Sequence, residues 1–157
     1  MALRHVGLAA LIVACGCSAG PNQATERNTA LIRQFVQDVD RLPGSEAIDK
    51  WMTSDFTMRA NGGPPMNLEA YRAVVAQMNK GFSNMTHELR HVVVEGDLVA
   101  VTVTFRATHS GEYQGLAPTG KSIAIEEAIF WQVRDGKIAS QTVIADTAGV
   151  ARQLTAK

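Results

Sequence analysis

Cysteine is scarce in this sequence, which has two cysteines among 157 residues, and both lie near the N-terminus at Cys15 and Cys17. The rest of the chain therefore cannot form a disulfide within a folded core. An excess of one charge is also lacking, because 15 lysines and arginines balance 15 aspartates and glutamates without any cluster of five like charges. That balance argues against a basic nucleic-acid-binding face, so we expect no nucleic-acid partner.

Long hydrophobic runs are lacking as well. The apolar stretch Val6–Ala14 is too short for a membrane-spanning helix, which needs about 20 residues, but it suits an export signal. The residues from Leu11 to Cys15 resemble the bacterial lipobox, which makes Cys15 the expected lipidation site. Cys17 fits less well because the residue three places before it is not aliphatic. The alternative is an ordinary cleaved signal peptide with incidental cysteines.

The N-terminal organisation predicts where the protein resides. We expect residues 1–17 to be a lipoprotein signal peptide with its lipobox, and residues 18–24 to be a flexible tether, because this stretch has almost no apolar side chains. The protein would then be exported and lipid-anchored in the bacterial cell envelope, on the periplasmic or extracellular face. Residues 25–157 would form one folded domain.

Helical spacing of apolar residues dominates the first half of this domain. It predicts one helix over about 25–41, a short second helix with Ser45 as its N-terminal cap, and a third helix over about 68–80 capped by Asn67. A brief strand through Met58 is expected between the second helix and the third.

Alternation of apolar and polar residues takes over after Gly81. It predicts four strands, near 86–95, 98–109, 121–133 and 137–147. Gly96-Asp97 and Asp135-Gly136 are typical hairpin turns between them. Helices followed by antiparallel strands predict an α+β fold in which a curved sheet wraps around the helices.

Nothing in the sequence points to a cofactor or a metal. There is no phosphate loop, dinucleotide-binding motif or Gly-x-Ser-x-Gly motif. His87 and His91 would share one face of a strand, but about 13 Å apart, which is too far for one metal ion. His109 ends a strand, where it could reach the mouth of a pocket or bond to the backbone.

The run Ala107–Lys121 resembles the signature Gly-Thr-His-x-Gly-x-Phe-x-Gly-x-Pro-Pro-Thr-Gly-Lys of the SnoaL-like polyketide cyclases, a branch of the nuclear-transport-factor-2-like (NTF2-like) superfamily. Residues 94–101 and 134–138, and Asp146 followed by Leu154, fall in the family's order, so the likeness covers about residues 29–154. It implies a cone-shaped fold with an apolar cavity open at one end. Members include cyclases that use an aldol step, while isomerases, dehydratases and non-catalytic binders share the wider superfamily.

The resemblance also implies a catalytic residue. Family members commonly end their last strand with His-Trp-x-x-x-Asp, where the aspartate is a general acid and base, and Asp146 matches that aspartate. Gln141 and Thr142 stand where histidine and tryptophan are usual. Arg59 stands where many members have a histidine in the first strand.

The Asp135-Gly136 turn independently predicts which side chains face the cavity. A two-residue type I′ turn pairs Arg134 with Lys137, and the same register continued along the strands gives one apolar face. That face consists of Ile125, Glu127, Ile129, Trp131, Val133, Ile138, Thr142, Ile144 and Asp146. Glu127 would lie opposite Ile144 and diagonal to Asp146, with Cβ atoms about 7–8 Å apart.

Two carboxylates on an apolar face suit acid–base catalysis. Desolvation and mutual repulsion would raise the pKa of Glu127 or Asp146, so that one could donate a hydrogen bond to a carbonyl while the other removes an α proton. Two alternatives remain open. One carboxylate could lie solvated at the rim, or pair with Arg59 or Arg106, and a one-residue bulge could turn Glu126 inward instead of Glu127.

Six further residues are candidates for substrate binding. They are Arg59, Tyr71, His109, Tyr113, Trp131 and Thr142. The aromatic members could equally be ordinary core residues.

Three functions are compatible with these patterns. The first is an acid–base enzyme, a cyclase, isomerase or dehydratase acting on a small hydrophobic molecule with a carbonyl group. The second is a module that binds such a molecule without chemistry. The third is a structural envelope lipoprotein whose sheet face forms a homodimer or meets a partner.

Overall fold

The structure is a computed structural model that describes residues 21–42 and 45–156. The expected signal peptide, the lipobox and both cysteines lie outside these residues. The first helix, α1, spans Pro21–Arg41 and so includes residues 21–24, the second half of the stretch expected as a tether. Within the described residues, no helix is both long and apolar enough to cross a membrane.

Nine further elements follow α1. They are α2 (Glu46–Trp51), β1 (Met52–Ala60), β2 (Met66–Asn67), α3 (Leu68–Gly81), β3 (Phe82–Glu95), β4 (Leu98–His109), β5 (Ser122–Arg134), β6 (Lys137–Ala145) and α4 (Thr147–Thr155). The predicted α+β class is therefore confirmed. The fourth helix was not anticipated, because residues up to 147 were assigned to the last strand.

The strands form one sheet in the order β2-β1-β6-β5-β4-β3. Every neighbouring pair is antiparallel except β1 and β6, which run parallel. Both hairpin turns lie where they were predicted. At the second, Asp135 and Gly136 have φ angles of 52° and 72°, as a type I′ turn requires.

Helices α1, α2 and α3 cover the inner face of the sheet and bury its apolar side chains. Trp131 of β5 is 2% exposed and packs edge-on against Phe35 of α1, with the ring centroids 5.8 Å apart. Asn67 caps α3 as predicted, because its side chain accepts a hydrogen bond from the backbone nitrogen of Ala70 at 2.9 Å. Ser45 precedes α2 but its side chain makes no capping bond.

A buried carboxylate ties α1 to α2. Asp38 Oδ2 accepts hydrogen bonds from Lys50 Nζ at 2.7 Å and from Trp51 Nε1 at 2.8 Å, while Arg41 bonds to Oδ1 at 3.1 Å. The bonds from Lys50 and Trp51 lower the pKa of the Asp38 carboxyl to about 2. These contacts hold the two helices together beside the cavity described next.

Candidate functional site

A cavity of about 210 Å³ lies between the inner face of the sheet and helices α1, α2 and α3. Its wall is mostly apolar, with Phe35, Val36, Val39, Leu42, Ala47, Ile48, Met58, Val74, Val75, Met78, Met85, Val103, Phe105, Ile129 and Val143. A few polar side chains interrupt this wall, among them Glu127, Tyr71, Gln141 and His87. An apolar cavity with a few converging polar groups is the usual form of a small-molecule site.

Glu127 is the cavity's carboxyl group. It lies in the middle of β5, where it pairs with Val103 on one side and Ala145 on the other. Burial raises the pKa of the Glu127 carboxyl, and the positive charge that His87 can carry opposes this effect. A carboxyl whose anion is poorly solvated keeps its proton more readily and can donate a hydrogen bond to a ligand oxygen.

Tyr71, Gln141 and Trp131 form a hydrogen-bonded group on the same wall. The Trp131 indole nitrogen donates to Gln141 Oε1 at 2.9 Å, and Gln141 also hydrogen-bonds the Tyr71 hydroxyl. Burial and the nearby Glu127 raise the pKa of Tyr71 to about 12, an effect that the bond with Gln141 partly offsets. Tyr71 therefore stays protonated at neutral pH.

His87 reaches the cavity from β3, one of the two edge strands of the sheet. Its ring Nδ1 lies 2.6 Å from Asp40 Oδ1, and its backbone nitrogen donates to Asp40 Oδ2 at 2.9 Å. Phe105 packs against the imidazole, with the ring centroids 4.9 Å apart. Asp40, near the end of α1, thus fixes both the backbone and the ring of His87.

The predicted partner of Glu127 is not in the cavity. The expected pairing holds for Arg134 with Lys137 and for Val133 with Ile138, but Gln132 then pairs with Ser140. The extra residue, Ala139, is a β-bulge, and it reverses the faces of the rest of β6. The side chains that face inward are consequently Gln141, Val143 and Ala145, whereas Thr142, Ile144 and Asp146 face outward.

Because of this reversal, three residues that were predicted to face the cavity lie elsewhere. Ile144 is 57% exposed, and Thr142 is exposed rather than lining the cavity. Asp146 is the N-terminal cap of α4, where its Oδ1 accepts from the Gly149 backbone nitrogen at 2.7 Å and its Oδ2 pairs with Arg152 at 3.0 Å. The bulge lies in β6 and not in β5, so Glu127 stays inside and Glu126 outside.

Arg59 also lies away from the cavity. It pairs with Thr142 in the parallel β1–β6 ladder, its side chain is exposed, and its guanidinium lies 3.4 Å from the Gly63 carbonyl oxygen. Arg59, which the sequence offered as a substrate-binding residue, is therefore not among the residues that line the cavity.

His109 and Tyr113 belong to a second cluster, at the base of the loop between β4 and β5. His109 is completely buried, its Nδ1 lies 3.0 Å from Thr119 Oγ1, and its Nε2 has no partner within the described part of the chain. Phe82 packs against both residues, with ring centroids 5.4 Å from His109 and 4.8 Å from Tyr113. Neither residue lines the cavity. His109 accepts a hydrogen bond from the Thr119 backbone nitrogen at 3.3 Å, and Tyr113 packs against core residues, which are the alternatives that the sequence left open.

Close contact between this loop and the end of α3 accounts for the glycine at position 111. The backbone nitrogens of Ser110 and Gly111 both donate to the Gly81 carbonyl at the end of α3, at 3.0 and 2.9 Å. A Cβ atom on Gly111 would overlap the backbone oxygen of Lys80. The motif that carries the family resemblance thus fastens the loop to α3.

His91 lies on the opposite face of β3 from the one predicted. A bulge in β3 between Leu89 and His91 places His91 opposite Thr102 on the outer face, with its Nδ1 2.8 Å from the threonine hydroxyl oxygen. His87 and His91 therefore do not share a face. Among the residues of 21–42 and 45–156, no group of three or more candidate ligands could hold a metal ion.

The site thus contains three of the predicted residues and three that sequence reasoning did not assign to it. Glu127, Tyr71 and Trp131, all candidates from the sequence, line the cavity. His87 had been considered only as a metal ligand, Gln141 only as a departure from the family motif, and Asp40 not at all. The one available signal was the polar Gln141 between Ile138 and Val143 in the last strand, but the face on which it lies depended on the bulge.

Comparison with known proteins identifies the family. The sequence profile of the family described as "SnoaL-like polyketide cyclase" matches residues 30–154. No curated protein is a significant match to the chain.

Solved structures share the fold. A protein from Jannaschia sp. CCS1, provisionally named a SnoaL-like polyketide cyclase, is 18% identical with a TM-score of 0.76, over 84% of this chain and 94% of that one. IdmH from Streptomyces antibioticus, provisionally named a polyketide cyclase, is 26% identical with a TM-score of 0.72, over 81% and 97% of the two chains. AclR from Streptomyces galilaeus, provisionally named a hydroxylase, is 22% identical with a TM-score of 0.76, over 83% and 82%.

Proposed function

The chain belongs to the SnoaL-like polyketide cyclase family, and on that premise we propose that its cavity catalyses proton transfer at the carbon next to a carbonyl group in a compact, mostly apolar molecule. Removal of an α proton is the first step of an aldol cyclisation. It is also the first step of many isomerisations and dehydrations. The proposal therefore covers the chemistry these reactions share.

One observation carries the proposal, namely the carboxyl group of Glu127 in an apolar cavity. Burial raises the pKa of this carboxyl, so that it can present a proton to a ligand oxygen. When an α C–H bond breaks, its electron pair forms the carbon–carbon double bond of an enol, and negative charge develops on the carbonyl oxygen. A hydrogen bond from Glu127 stabilises that charge more in the transition state than in the ground state.

The size of the cavity limits the substrate. At about 210 Å³ it is below the usual range of drug-sized pockets, roughly 300–1,000 Å³. An apolar protein cavity of about 150 Å³ accommodates benzene. The proposed substrates are therefore carbonyl compounds with one ring or two fused rings, and not four-ring molecules.

The test uses 2-tetralone, a two-ring ketone, as a probe in D₂O. Exchange of its α protons for deuterium, followed by proton NMR, measures proton transfer without knowledge of the natural substrate. We expect the wild-type protein to accelerate exchange saturably. Glu127→Gln should lower kcat by about 10²–10⁴ with little change in KM, because the amide retains the shape but cannot transfer a proton.

A matched control lies next to this residue in the sequence. Glu126 faces outward and accepts a hydrogen bond from Thr104 Oγ1 at 2.7 Å, so Glu126→Gln should leave exchange unchanged. A wild-type protein that does not accelerate exchange would contradict the proposal. Full exchange by Glu127→Gln would contradict the role of Glu127.

The second candidate function is binding without catalysis, and Gln141 favours it. The family motif has a titratable histidine at this position, whereas here a glutamine hydrogen-bonds Trp131 and Tyr71. Under this alternative, 2-tetralone binds to the wild type and to Glu127→Gln with similar affinity, and neither protein accelerates exchange.

A further inference from the structure

Asp40 and His87 contact each other through two hydrogen bonds, although they lie on different elements. The Asp40 carboxylate bonds to the His87 backbone nitrogen at 2.9 Å and to its ring Nδ1 at 2.6 Å. Both side chains are largely shielded from solvent, with exposures of 25% for Asp40 and 22% for His87. Two contacts from one carboxylate leave the imidazole ring little freedom to rotate.

This contact determines which ring nitrogen holds the proton. An ionised carboxylate can only accept hydrogen bonds, so Nδ1 must be the donor to Asp40. In a neutral ring, the lone pair is then on Nε2. Because the imidazole lines the cavity, this arrangement supplies the cavity with a base.

His87 and Glu127 are separated by a distance that suits a ligand between them. His87 pairs with Phe105 on β4, and Glu127 pairs with Val103 on the same strand. The two residues are thus two strands apart and displaced by two residues, which corresponds to roughly 11–12 Å between their backbone positions. Their side chains both reach the cavity from these positions, so a one- or two-ring ligand can lie between them.

We propose that Asp40 positions His87 as the base that removes the α proton, opposite a Glu127 carboxyl that donates to the carbonyl oxygen. In the forward step the C–H bond breaks, its proton moves to His87 Nε2, and its electron pair forms the carbon–carbon double bond. The carbonyl π pair moves to the oxygen, which takes the proton of the Glu127 carboxyl, so the products are an enol, an imidazolium and a Glu127 carboxylate. In the return step the imidazolium gives a proton or deuteron back to carbon, and the enol hydroxyl returns its proton to Glu127. His87 is a catalytic residue in this scheme and Asp40 a positioning residue, and the scheme rests on the proposed function.

The first experiment repeats the 2-tetralone exchange assay with variants of this pair. His87→Gln should lower kcat by about 10²–10⁴ with KM nearly unchanged. His91→Gln is the matched control, since His91 lies on the outer face of the same strand, and it should exchange at the wild-type rate. Asp40→Asn should lower kcat to a similar extent, because the asparagine amide can donate to Nδ1 and so favours the wrong tautomer.

The second experiment observes the tautomer directly and needs no substrate. In ¹⁵N NMR spectra of the wild type, recorded where the ring is neutral, the His87 proton should be on Nδ1. In Asp40→Asn it should move to Nε2, while the affinity for 2-tetralone stays within about threefold of wild type. A neutral wild-type His87 with its proton on Nε2 would overturn the inference.

The exchange assay separates failure of this inference from failure of the proposed function. Exchange that survives His87→Gln but not Glu127→Gln contradicts the role of His87 and leaves the proposed function standing. A wild-type protein without exchange contradicts both.

Discussion

Substitution of Gly111 tests whether the loop that joins β4 to β5 is held against α3 by close backbone contact. Its φ angle is not in the left-handed region, so the case for glycine here is entirely steric. An alanine methyl group would overlap the Lys80 carbonyl oxygen, which belongs to the backbone of α3 and cannot swing aside as a side chain would. We therefore expect Gly111→Ala to push the loop away from the helix.

The cost follows from the contacts that would be lost. The hydrogen bonds from Ser110 and Gly111 to the Gly81 carbonyl are worth about 0.5–1.5 kcal/mol each. Weaker packing of Tyr113 against Phe82 adds about 0.5–1.5 kcal/mol. The expected loss is about 1.5–4.5 kcal/mol, which lowers Tm by roughly 5–17 °C in a domain of this size.

Gly115→Ala in the same loop is the matched control. Gly115 has a φ of 80° and no atom near its would-be Cβ, so alanine there costs only about 1 kcal/mol of backbone strain. Urea unfolding of both variants, with unchanged m values, measures the difference. If Gly111→Ala costs no more than Gly115→Ala, the steric reasoning is wrong.

Two further predictions concern other carboxylates. Asp146→Ala should lower the free energy of unfolding by about 0.5–2 kcal/mol through loss of the α4 cap, and should leave 2-tetralone exchange unchanged. A folded variant whose exchange rate drops more than tenfold would show that Asp146 takes part in catalysis. The ionised Asp38 carboxylate should make its full contribution to stability at pH values above its ordinary pKa of 3.8. This contribution should be lost as the pH falls toward about 2, the pKa of Asp38 in the folded protein. The Tm difference between wild type and Asp38→Asn should therefore shrink on acidification, and a difference that is constant from pH 7 to 2 would contradict this.

Local sequence signals predicted most of the fold. Asn67 preceded an amphipathic stripe and does cap α3, and Asp135-Gly136 does form the last hairpin turn. Each of these features depends on residues close together in the chain. The Thr147–Thr155 helix was missed because Asp146 was assigned to a strand, although aspartate is also a common helix cap.

The candidate site was less predictable, because its composition depends on one bulge and one long-range contact. Ala139 has no property that marks it as a bulge, and both registers of β6 offer apolar residues to the core, Ile144 in one and Val143 in the other. Periodicity alone could not choose between them. The contact of Asp40 with His87 joins residues 47 positions apart, and no local pattern predicts it.

The parallel pairing of β1 with β6 has a consequence for how the chain folds. Met58 pairs with Gln141, which is synthesised about 80 residues later. Strand β1 therefore cannot pair with β6 until almost the whole domain has been synthesised. At ribosomal speeds of about 5–20 residues per second, that wait is about 4–16 s. During this interval β1 can pair only with β2, whose Met66 lies beside Met58, so Phe56 and Met58 lack the rest of the sheet and the nascent chain is exposed to aggregation. Met58 and Gln141 both line the cavity, so the cavity is completed only when the last strand is in place.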